Sequence, residues 1–341
     1  MAPNASQALQ KIELTILIGT VNRLPLLKKC LAGVIEELRP NYEVRVIDAG
    51  SNDGTQNYVR SLNHPQIHLI EDGKKLGQAK SFNQVLKTLE SKYVCWISDD
   101  NVVTPGALGK AVAVFSEESR MGMVGLKVKD VNGQWADFPY IGGVYKSGVL
   151  NINQGMLPMD IFRSVGFFDE TFGSYGIDAD LTTRVLLAGY KVCLTKDVAV
   201  LHYRLHQDHP GAFTSNERSD QQTRSQSMYD TKYSSLCNSK AYAVRTRIAH
   251  AIFSRLIRKY FWKRHWRYQL WRDRVIKRFN IQMSTRDIRN LLLCRWVSPL
   301  DLWKNRNKAY YLVQEFRKEI IGAKHTDSNR LSSQLNADKQ W

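Results

Sequence analysis

Two adjacent carboxylates, Asp99 and Asp100, follow a run of strand-forming apolar residues in the stretch "YVCWISDDNVVTPGAL" (93–108). Like charges side by side repel each other unless a cation lies beside them, and nothing within the stretch neutralises this pair. Carboxylate oxygens suit Mg²⁺ or Mn²⁺, and an ion held by one or two carboxylates typically takes its other ligands from substrate phosphates. The pair is therefore a candidate receptor for a metal diphosphate. The alternative is a helix N-cap cluster before Pro105, with Thr104 as the cap.

The elements around this pair alternate between strand and helix patterns. Apolar, β-branched runs predict strands at 14–21, 67–72 and 93–100, and a strand followed by a polar loop within 42–55. Apolar residues at helical spacing predict helices at 24–38, 55–62, 78–91 and 105–118. This alternation is typical of a parallel sheet covered by helices, in which ligands bind beyond the carboxyl ends of the strands. The polar clusters 48–53 and 98–101 occupy that position, and neither GxGxxG nor GxxxxGK[ST] is present to indicate a dinucleotide or P-loop site.

The composition excludes several other classes of protein. The five cysteines are scattered and form no CxxC pair, which argues against a disulfide framework or a zinc cluster and favours a reducing compartment. The N-terminus lacks a signal-peptide pattern, and no run approaches the roughly 18 apolar residues that a membrane span needs. We therefore expect a cytoplasmic protein that is peripheral to a membrane at most.

Positive charge is concentrated in the C-terminal part of the 341-residue chain. Residues 1–203 hold 21 Lys and Arg against 21 Asp and Glu, whereas residues 204–341 hold 28 against 11, so the later part carries the whole excess of +17. The change predicts a neutral N-terminal domain over 1–210 and a basic, aromatic-rich helical extension over 211–322, and the polar composition of 323–341 predicts a disordered tail.

Five stretches of the first part resemble the family 2 glycosyltransferases. They are "GTVNRLPLLKKCL", "VIDAGSNDGT", "LGQAKSFNQVL", "WISDDN" and "VGFFDETFGSYGIDADLTTRVLLAGY", in the order and spacing of that family across about residues 12–203. The resemblance implies a GT-A fold: an α/β, Rossmann-like, mainly parallel sheet flanked by helices. It also implies an inverting transfer from a nucleotide diphosphate sugar, with Mn²⁺ or Mg²⁺ as cofactor, nucleotide-sugar binding in about 12–104 and the acceptor side in about 105–210.

The resemblance assigns donor and metal roles to individual residues. Asp48 would contact the donor base, Asp53 would support the same pocket, and Asp99 would lie near the donor ribose. Asp100 would hold the metal ion. The matching stretches place further donor-binding residues at Thr20, Asn22, Arg23 and Gly77.

The later motif supplies the candidate general base. The Glu-Asp pair of the family appears here as Ile177-Asp178, so Asp178 would take the proton from the acceptor hydroxyl. Asp180 and Arg184, at i and i+4, read as a surface ion pair worth about 0.3–0.5 kcal/mol.

A late histidine, His202, matches one that completes the metal or diphosphate site in some members of the family. The alternative is a solvent-facing or capping histidine, in a loop that also carries His206 and His209. A neutral imidazole suits the metal-ligand role.

The basic extension has its own candidate partner. Residues 254–279 interleave ten Lys or Arg residues with aromatic side chains. This composition favours an anionic membrane surface at the inner face of the cell membrane over a basic helical lid or a nucleic-acid site.

The expected function is a glycosyltransferase of hexosyl or N-acetylhexosaminyl type, with a UDP-sugar as donor and a saccharide or lipid-linked saccharide as acceptor. The alternative is a nucleic-acid-binding protein with a degenerate α/β domain.

Overall fold

The computed structural model describes residues 11–132, 139–140, 143–145, 147–203, 215–237 and 307–315. In these residues the strands are β1 (Leu14–Thr20), β2 (Tyr42–Asp48), β3 (Ile67–Glu71), β4 (Tyr93–Ser98), β5 (Asn101–Val103), β6 (Met121–Gly125), β7 (Val128–Asp130), β8 (Pro139–Tyr140), β9 (Gly155–Pro158), β10 (Lys191–Thr195), β11 (Val200–His202) and β12 (Tyr310–Glu315). The helices are α1 (Leu24–Ile35), α2 (Thr55–Ser61), α3 (Gln78–Leu86), α4 (Ala107–Glu117), α5 (Met159–Val165), α6 (Ile177–Leu187), α7 (Ser215–Lys232) and α8 (Ser234–Cys237).

Eight strands form one large sheet in the order β12-β10-β6-β9-β4-β1-β2-β3. The run from β4 to β3 is parallel, as is the β6–β10 pair, whereas β9 and β12 are antiparallel to their neighbours. A smaller sheet has the order β5-β11-β7-β8. The predicted fold class, a mainly parallel sheet flanked by helices, is confirmed.

The large sheet is apolar on both faces because helices cover both. In β1, Leu17 belongs to a core cluster with Phe82 and Trp96, whereas Ile16 and Ile18 belong to the cluster on the other face. All three β1 side chains are fully buried. A continuous apolar run of this kind is what a parallel strand requires, which explains why β1 could be recognised in the sequence.

The chain beyond the two carboxylates differs from the prediction. Asp99 and Asp100 form a turn between β4 and β5, and α4 begins only at Ala107, with Gly106 at its N-cap. The Thr104 hydroxyl donates to the carbonyl of Val198 at 2.8 Å and does not cap the helix. The helix-cap interpretation of the carboxylate pair is therefore wrong.

Two helices are shorter than predicted. The helix expected over 24–38 ends at Ile35, and the one expected over 78–91 ends at Leu86. Each helix continues into a short turn, in which the amide of Leu38 reaches only to the carbonyl of Ile35 and that of Leu89 to the carbonyl of Leu86. Apolar spacing continues through these turns, so the sequence pattern overestimates the helix length.

Segments after residue 210 pack on the same body. Tyr229 of α7 is fully buried in the core, and β12 adds to the edge of the large sheet beside β10. The domain division at residue 210 stays a prediction. Residues 254–279, 323–341, His206 and His209 lie outside the described residues.

Two further sequence expectations concern cysteines and membrane spans. Cys30, Cys95 and Cys193 are buried and free. Of the helices in the part of the chain described here, none is both long and apolar enough to cross a bilayer.

Candidate active site

The two carboxylates are bridged by an arginine from the turn after β1. Arg23 donates from one guanidinium nitrogen to Asp99 Oδ1 at 2.6 Å and from the other to Asp100 Oδ2 at 2.7 Å. The carboxylates are nearly buried, with side chains 2% and 11% exposed. A planar guanidinium with two parallel donors suits this bridging position. Charge repulsion within the pair therefore does not by itself require a metal ion.

Other groups fix the two carboxylates differently. The Thr20 hydroxyl, at the end of β1, donates to Asp99 Oδ2 at 2.8 Å, so hydrogen bonds engage both oxygens of Asp99. His202 lies opposite Asn101 where β11 pairs with β5, and its Nε2 is 3.3 Å from Asp100 Oδ2. The structure thus brings together Thr20, Arg23, Asp99, Asp100 and His202, as the sequence predicts.

A third carboxylate, Asp130, was not predicted. It ends β7 opposite His202 of β11, is 1% exposed, and places Oδ1 2.8 Å from His202 Nδ1. A carboxylate at the far nitrogen of a histidine orients the ring and makes the near nitrogen a better ligand. The three-residue strand "VKD" is too short to give a sequence signal.

The electrostatics of the cluster follow from burial opposed by charge. Burial raises the pKa of Asp99, and Arg23 opposes the rise. Burial would also raise the pKa of Asp100, but the hydrogen bond and charge of His202, together with Arg23, lower it overall. Burial lowers the pKa of His202, but its contacts with Asp100 and Asp130 outweigh this and raise it.

One oxygen of the carboxylate pair is suited to act as a metal ligand. Asp100 Oδ1 is buried and has no hydrogen-bond partner among the described residues. It lies on the same carboxylate as the oxygen that His202 approaches, so the donor set of a carboxylate oxygen and an imidazole fits Mn²⁺ or Mg²⁺. The described residues contain no group of three or more His, Cys, Asp or Glu side chains that could hold a metal ion. The residues present thus fit an ion that takes most of its ligands from water or phosphate.

Asp48 and Asp53 brace the loop after β2. Asp48 is fully buried and accepts hydrogen bonds from the Ser51 amide at 3.0 Å, the Ser51 hydroxyl and Gln56 Nε2 at 2.8 Å. Asp53 accepts from the Leu24 amide at 2.9 Å and from the Thr55 hydroxyl at 2.6 Å. Asp53 therefore ties the first turns of α1 and α2 together, and the donor-binding roles of both aspartates stay predictions.

Asn22 and Gly50 bring neighbouring strand-end loops into contact. The side-chain oxygen of Asn22 accepts a hydrogen bond from the backbone amide of Asn52 at 2.8 Å. The backbone amide of Asn22 donates to the Ser51 hydroxyl at 2.8 Å. Gly50 has φ +84°, and a Cβ there would lie 2.6 Å from the carbonyl oxygen of Gly73. The loops after β1, β2 and β3 therefore form one wall of the site, and only glycine fits at position 50.

Gly77 opens α3 at the side of this wall. It has φ +90° and ψ 143° at the N-cap, and its carbonyl accepts from the Ser81 amide at 3.0 Å. The donor-binding role of Gly77 stays a prediction.

Asp178 lies in the first turn of α6 and is held by the strand that leads to the pair. Its Oδ1 accepts a hydrogen bond at 3.2 Å from Nε1 of Trp96, which is in β4 three residues before Asp99. Burial raises the pKa of Asp178 to about 8, although the Trp96 N–H opposes the rise. A carboxyl group with this pKa can accept a proton near neutral pH, as a general base must.

Asp180 and Arg184 form the predicted i,i+4 pair, but not at the surface. Asp180 is fully buried and Arg184 is 8% exposed, with Arg184 Nε 2.8 Å from Asp180 Oδ2. Arg184 also donates to the carbonyls of Val165 and Phe167, the latter at 2.6 Å. The expectation of a surface pair is therefore wrong, because this face of α6 is covered by the segment that follows α5.

Residues 15–161 match the family model described as glycosyl transferase family 2. This stretch is therefore similar to that family, which confirms the resemblance seen in the sequence. The match ends before α6, so Asp178 and His202 lie beyond it.

Two curated relatives are named for the biosynthesis of succinoglycan and of colanic acid. The succinoglycan biosynthesis protein ExoA of Rhizobium meliloti (strain 1021) is 26% identical over 210 residues, which cover 51% of this chain and 59% of ExoA. The putative colanic acid biosynthesis glycosyl transferase WcaA of Escherichia coli (strain K12) is 28% identical over 102 residues, covering 29% and 37%. The chain thus spans less than two thirds of the length of either relative.

Two similar solved structures carry nucleotide sugars. The mannosyltransferase PcManGT from Pyrobaculum calidifontis, in complex with GDP-Man and Mn²⁺, is 21% identical with a TM-score of 0.48, covering 58% of this chain and 59% of that one. S. aureus TarS 1-349, in complex with UDP-GlcNAc, is 19% identical with a TM-score of 0.49, covering 61% and 63%.

Proposed function

We propose that this protein is a metal-dependent, inverting glycosyltransferase that moves a sugar from a nucleotide diphosphate donor to a saccharide or lipid-linked saccharide in glycan biosynthesis. The observation that carries the proposal is the link between two chemically distinct groups through one strand. β4 leads directly into Asp99 and Asp100, and the same strand holds Asp178 through Trp96. A donor site and a proton acceptor on one rigid element are what a single-displacement transfer requires.

Asp178 acts as the general base in this proposal. It takes the proton from the acceptor hydroxyl as that oxygen attacks the anomeric carbon on the face opposite the leaving diphosphate. The hydrogen bond from Trp96 fixes the orientation of the carboxyl group. Its raised pKa makes it a stronger base than an ordinary aspartate, at the cost of being mostly protonated at pH 7.

The donor lies at the carboxyl ends of β1, β2 and β4. Asp100 and His202 would hold the metal ion, which as a Lewis acid would stabilise the charge on the leaving diphosphate. Asp99 contacts the ribose, and Asp48 lines the base pocket. The loops around the donor, and the contacts of these loops with the donor, are shaped by Asn22, Asp53 and Gly77.

The proposal also specifies the donor and the type of sugar transferred. We assign a UDP-sugar and a hexosyl or N-acetylhexosaminyl transfer. The relatives named for succinoglycan and colanic acid biosynthesis support a glycan product. Residues 254–279 would hold the enzyme at the anionic inner face of the cell membrane, where lipid-linked saccharides are available.

The test of this function is release of nucleoside diphosphate from a panel of UDP-, GDP- and dTDP-sugars, with saccharides or water as acceptor. Asp178→Asn should lower the rate about 10²–10⁴-fold, the usual contribution of a general base, with an unchanged melting curve. Asp160→Asn is the matched control, because Asp160 is exposed in the first turn of α5. Equal rates in the wild type and Asp178→Asn would contradict the assignment.

A further inference from the structure

We propose that Arg23 sets the order of binding: its guanidinium is the resident counter-ion of the Asp99–Asp100 pair, so the metal ion enters together with the donor diphosphate and not alone. This inference rests on the proposed function, because it concerns the same donor site. It gives Arg23 a role in metal binding, beyond a contact with the donor.

The geometry makes Arg23 a competitor for the cation position. Its two terminal nitrogens lie 2.6 Å from Asp99 Oδ1 and 2.7 Å from Asp100 Oδ2. These are short, charge-assisted contacts, and the arginine reaches both carboxylates at once. The single positive charge is therefore shared by the two anions that would otherwise attract a divalent ion.

A bare metal ion meets an unfavourable arrangement at this site. Hydrogen bonds already engage both oxygens of Asp99, and Asp100 Oδ2 accepts from Arg23, which leaves the buried Asp100 Oδ1 as the oxygen without a partner. An ion at that oxygen would lie close to the guanidinium, and two cations that share one carboxylate repel each other.

A diphosphate removes this obstacle. The Arg23 side chain is 25% exposed, and its backbone belongs to the turn that precedes α1, so the guanidinium can reach solvent without disturbing the core. Phosphate oxygens accept the same forked pair of hydrogen bonds that the carboxylates accept now. When Arg23 moves to the diphosphate, Asp100 Oδ2 loses its contact with the guanidinium, and the carboxylate becomes available to a metal ion on the side of His202.

The competing explanation is a purely structural ion pair. In that case Arg23 would stabilise the loop after β1 and would have no effect on how Mn²⁺ and nucleotide bind relative to each other. Loss of Arg23 would then leave the affinity for Mn²⁺ alone unchanged, or would reduce it as the carboxylates lose their positions.

The experiment is a titration with Mn²⁺ followed by the electron paramagnetic resonance signal of the free ion, which is lost on binding. It uses the full chain, alone and with UDP or GDP, and nucleotide without protein corrects for Mn²⁺ bound by the nucleotide itself. The variants are Arg23→Gln, which removes the charge, and Arg23→Lys, which keeps the charge but not the fork. The matched control is Arg60→Gln, because Arg60 pairs with Glu71 at an exposed position.

Arg23→Gln should bind Mn²⁺ alone at least tenfold more tightly than the wild type, and nucleotide should improve that affinity less than it does in the wild type. Arg23→Lys should be intermediate, and it provides the comparison if Arg23→Gln fails to fold. Arg60→Gln should match the wild type. If neither folded Arg23 variant gains affinity for Mn²⁺ alone, the inference is overturned.

Failure of the proposed function would look different. The wild type would then bind no Mn²⁺ even with UDP or GDP present. A gain in Mn²⁺ binding by Arg23→Gln in that setting would still support the counter-ion role of Arg23.

Discussion

At the scale of single residues, the site separates two aspartates of different character. Asp100 is surrounded by positive groups and its pKa is lowered, whereas Asp178 has one neutral N–H donor and its pKa is raised to about 8. The first is suited to hold a cation and the second to accept a proton. Environment, not residue type, assigns the two roles.

The raised pKa of Asp178 predicts the pH dependence of the reaction. Since the base must be ionised, kcat/KM should rise with pH through about 8 and level off above it. Trp96→Phe removes the hydrogen bond that favours the ionised form, so the rising limb should move to higher pH. The control is Phe168→Leu, which perturbs the packing against Trp96 without touching the carboxylate. A limb near pH 4, or one that Trp96→Phe leaves in place, would contradict the assignment.

The resemblance to the family predicted which residues belong to the site, but not which of them contact each other. Thr20, Arg23, Asp99, Asp100 and His202 were all named from the sequence, and all five meet. That Arg23 neutralises the pair could not be foreseen, because the contact joins loops 76 and 77 residues apart along the chain. Such a contact depends on the pairing of β1 with β4.

At the scale of elements, α6 and α7 are joined by a buried charge network. Asp180 of α6 receives Arg184 on one oxygen, and on the other it receives the Tyr233 hydroxyl at 2.6 Å and Lys232 Nζ at 2.8 Å. Lys232 also pairs with Asp169 at 2.6 Å. The network clamps the chain before and after α6, and so it positions the helix turn that carries the general base.

Arg184→Met should therefore lower the free energy of unfolding by roughly 1–3 kcal/mol, because it leaves the carbonyls of Val165 and Phe167 without this donor, while Asp180 stays paired with Lys232. The measurement is urea denaturation. Arg60→Gln, which breaks an exposed ion pair, should cost less than about 1 kcal/mol. A loss in Arg184→Met no larger than in this control would show that the network contributes little.

Elements were predictable in proportion to their length and periodicity. The seven-residue β1 and β2 are rich in apolar, β-branched residues and were found, whereas β5 and β7, which pair with β11, have three residues each and were not. Those short strands exist because they pair with one another, with His202 opposite both Asn101 and Asp130. A local sequence pattern cannot show such mutual support.

At the scale of the whole molecule, the positive charge and the catalytic machinery occupy different parts of the chain. The site residues all lie before residue 203, in the part with no net charge, and the excess of +17 lies after it. The sequence predicted this division of charge, but not that α7 and β12 return to the large sheet. The contribution of β12 depends on pairing with β10 more than 100 residues earlier, which a pass along the chain cannot detect.

The membrane proposal predicts that the full chain sediments with vesicles containing phosphatidylglycerol but not with neutral vesicles. Five substitutions to Gln within residues 254–279 should strongly weaken binding to these vesicles, by about 1 kcal/mol for each cation lost near the surface. They are at Arg255, Arg258, Lys259, Lys263 and Arg264. The control removes the same charge from exposed catalytic-domain lysines, namely Lys28, Lys29, Lys80, Lys87 and Lys110. Equal loss in both variants, or binding to RNA without binding to vesicles, would contradict the proposal.

The measurement that tests the central claim most directly is a thermal-shift titration with UDP, GDP, CMP and dTDP, each with Mn²⁺ or EDTA. We expect one diphosphate to stabilise the wild type only when Mn²⁺ is present, by about 2.7 kcal/mol at 100 times its dissociation constant. Asp100→Asn should abolish the shift, and Asp160→Asn should keep it. The absence of any shift in the wild type, or a shift that ignores both the metal and Asp100→Asn, would show that the carboxylate pair is not the receptor of a metal diphosphate.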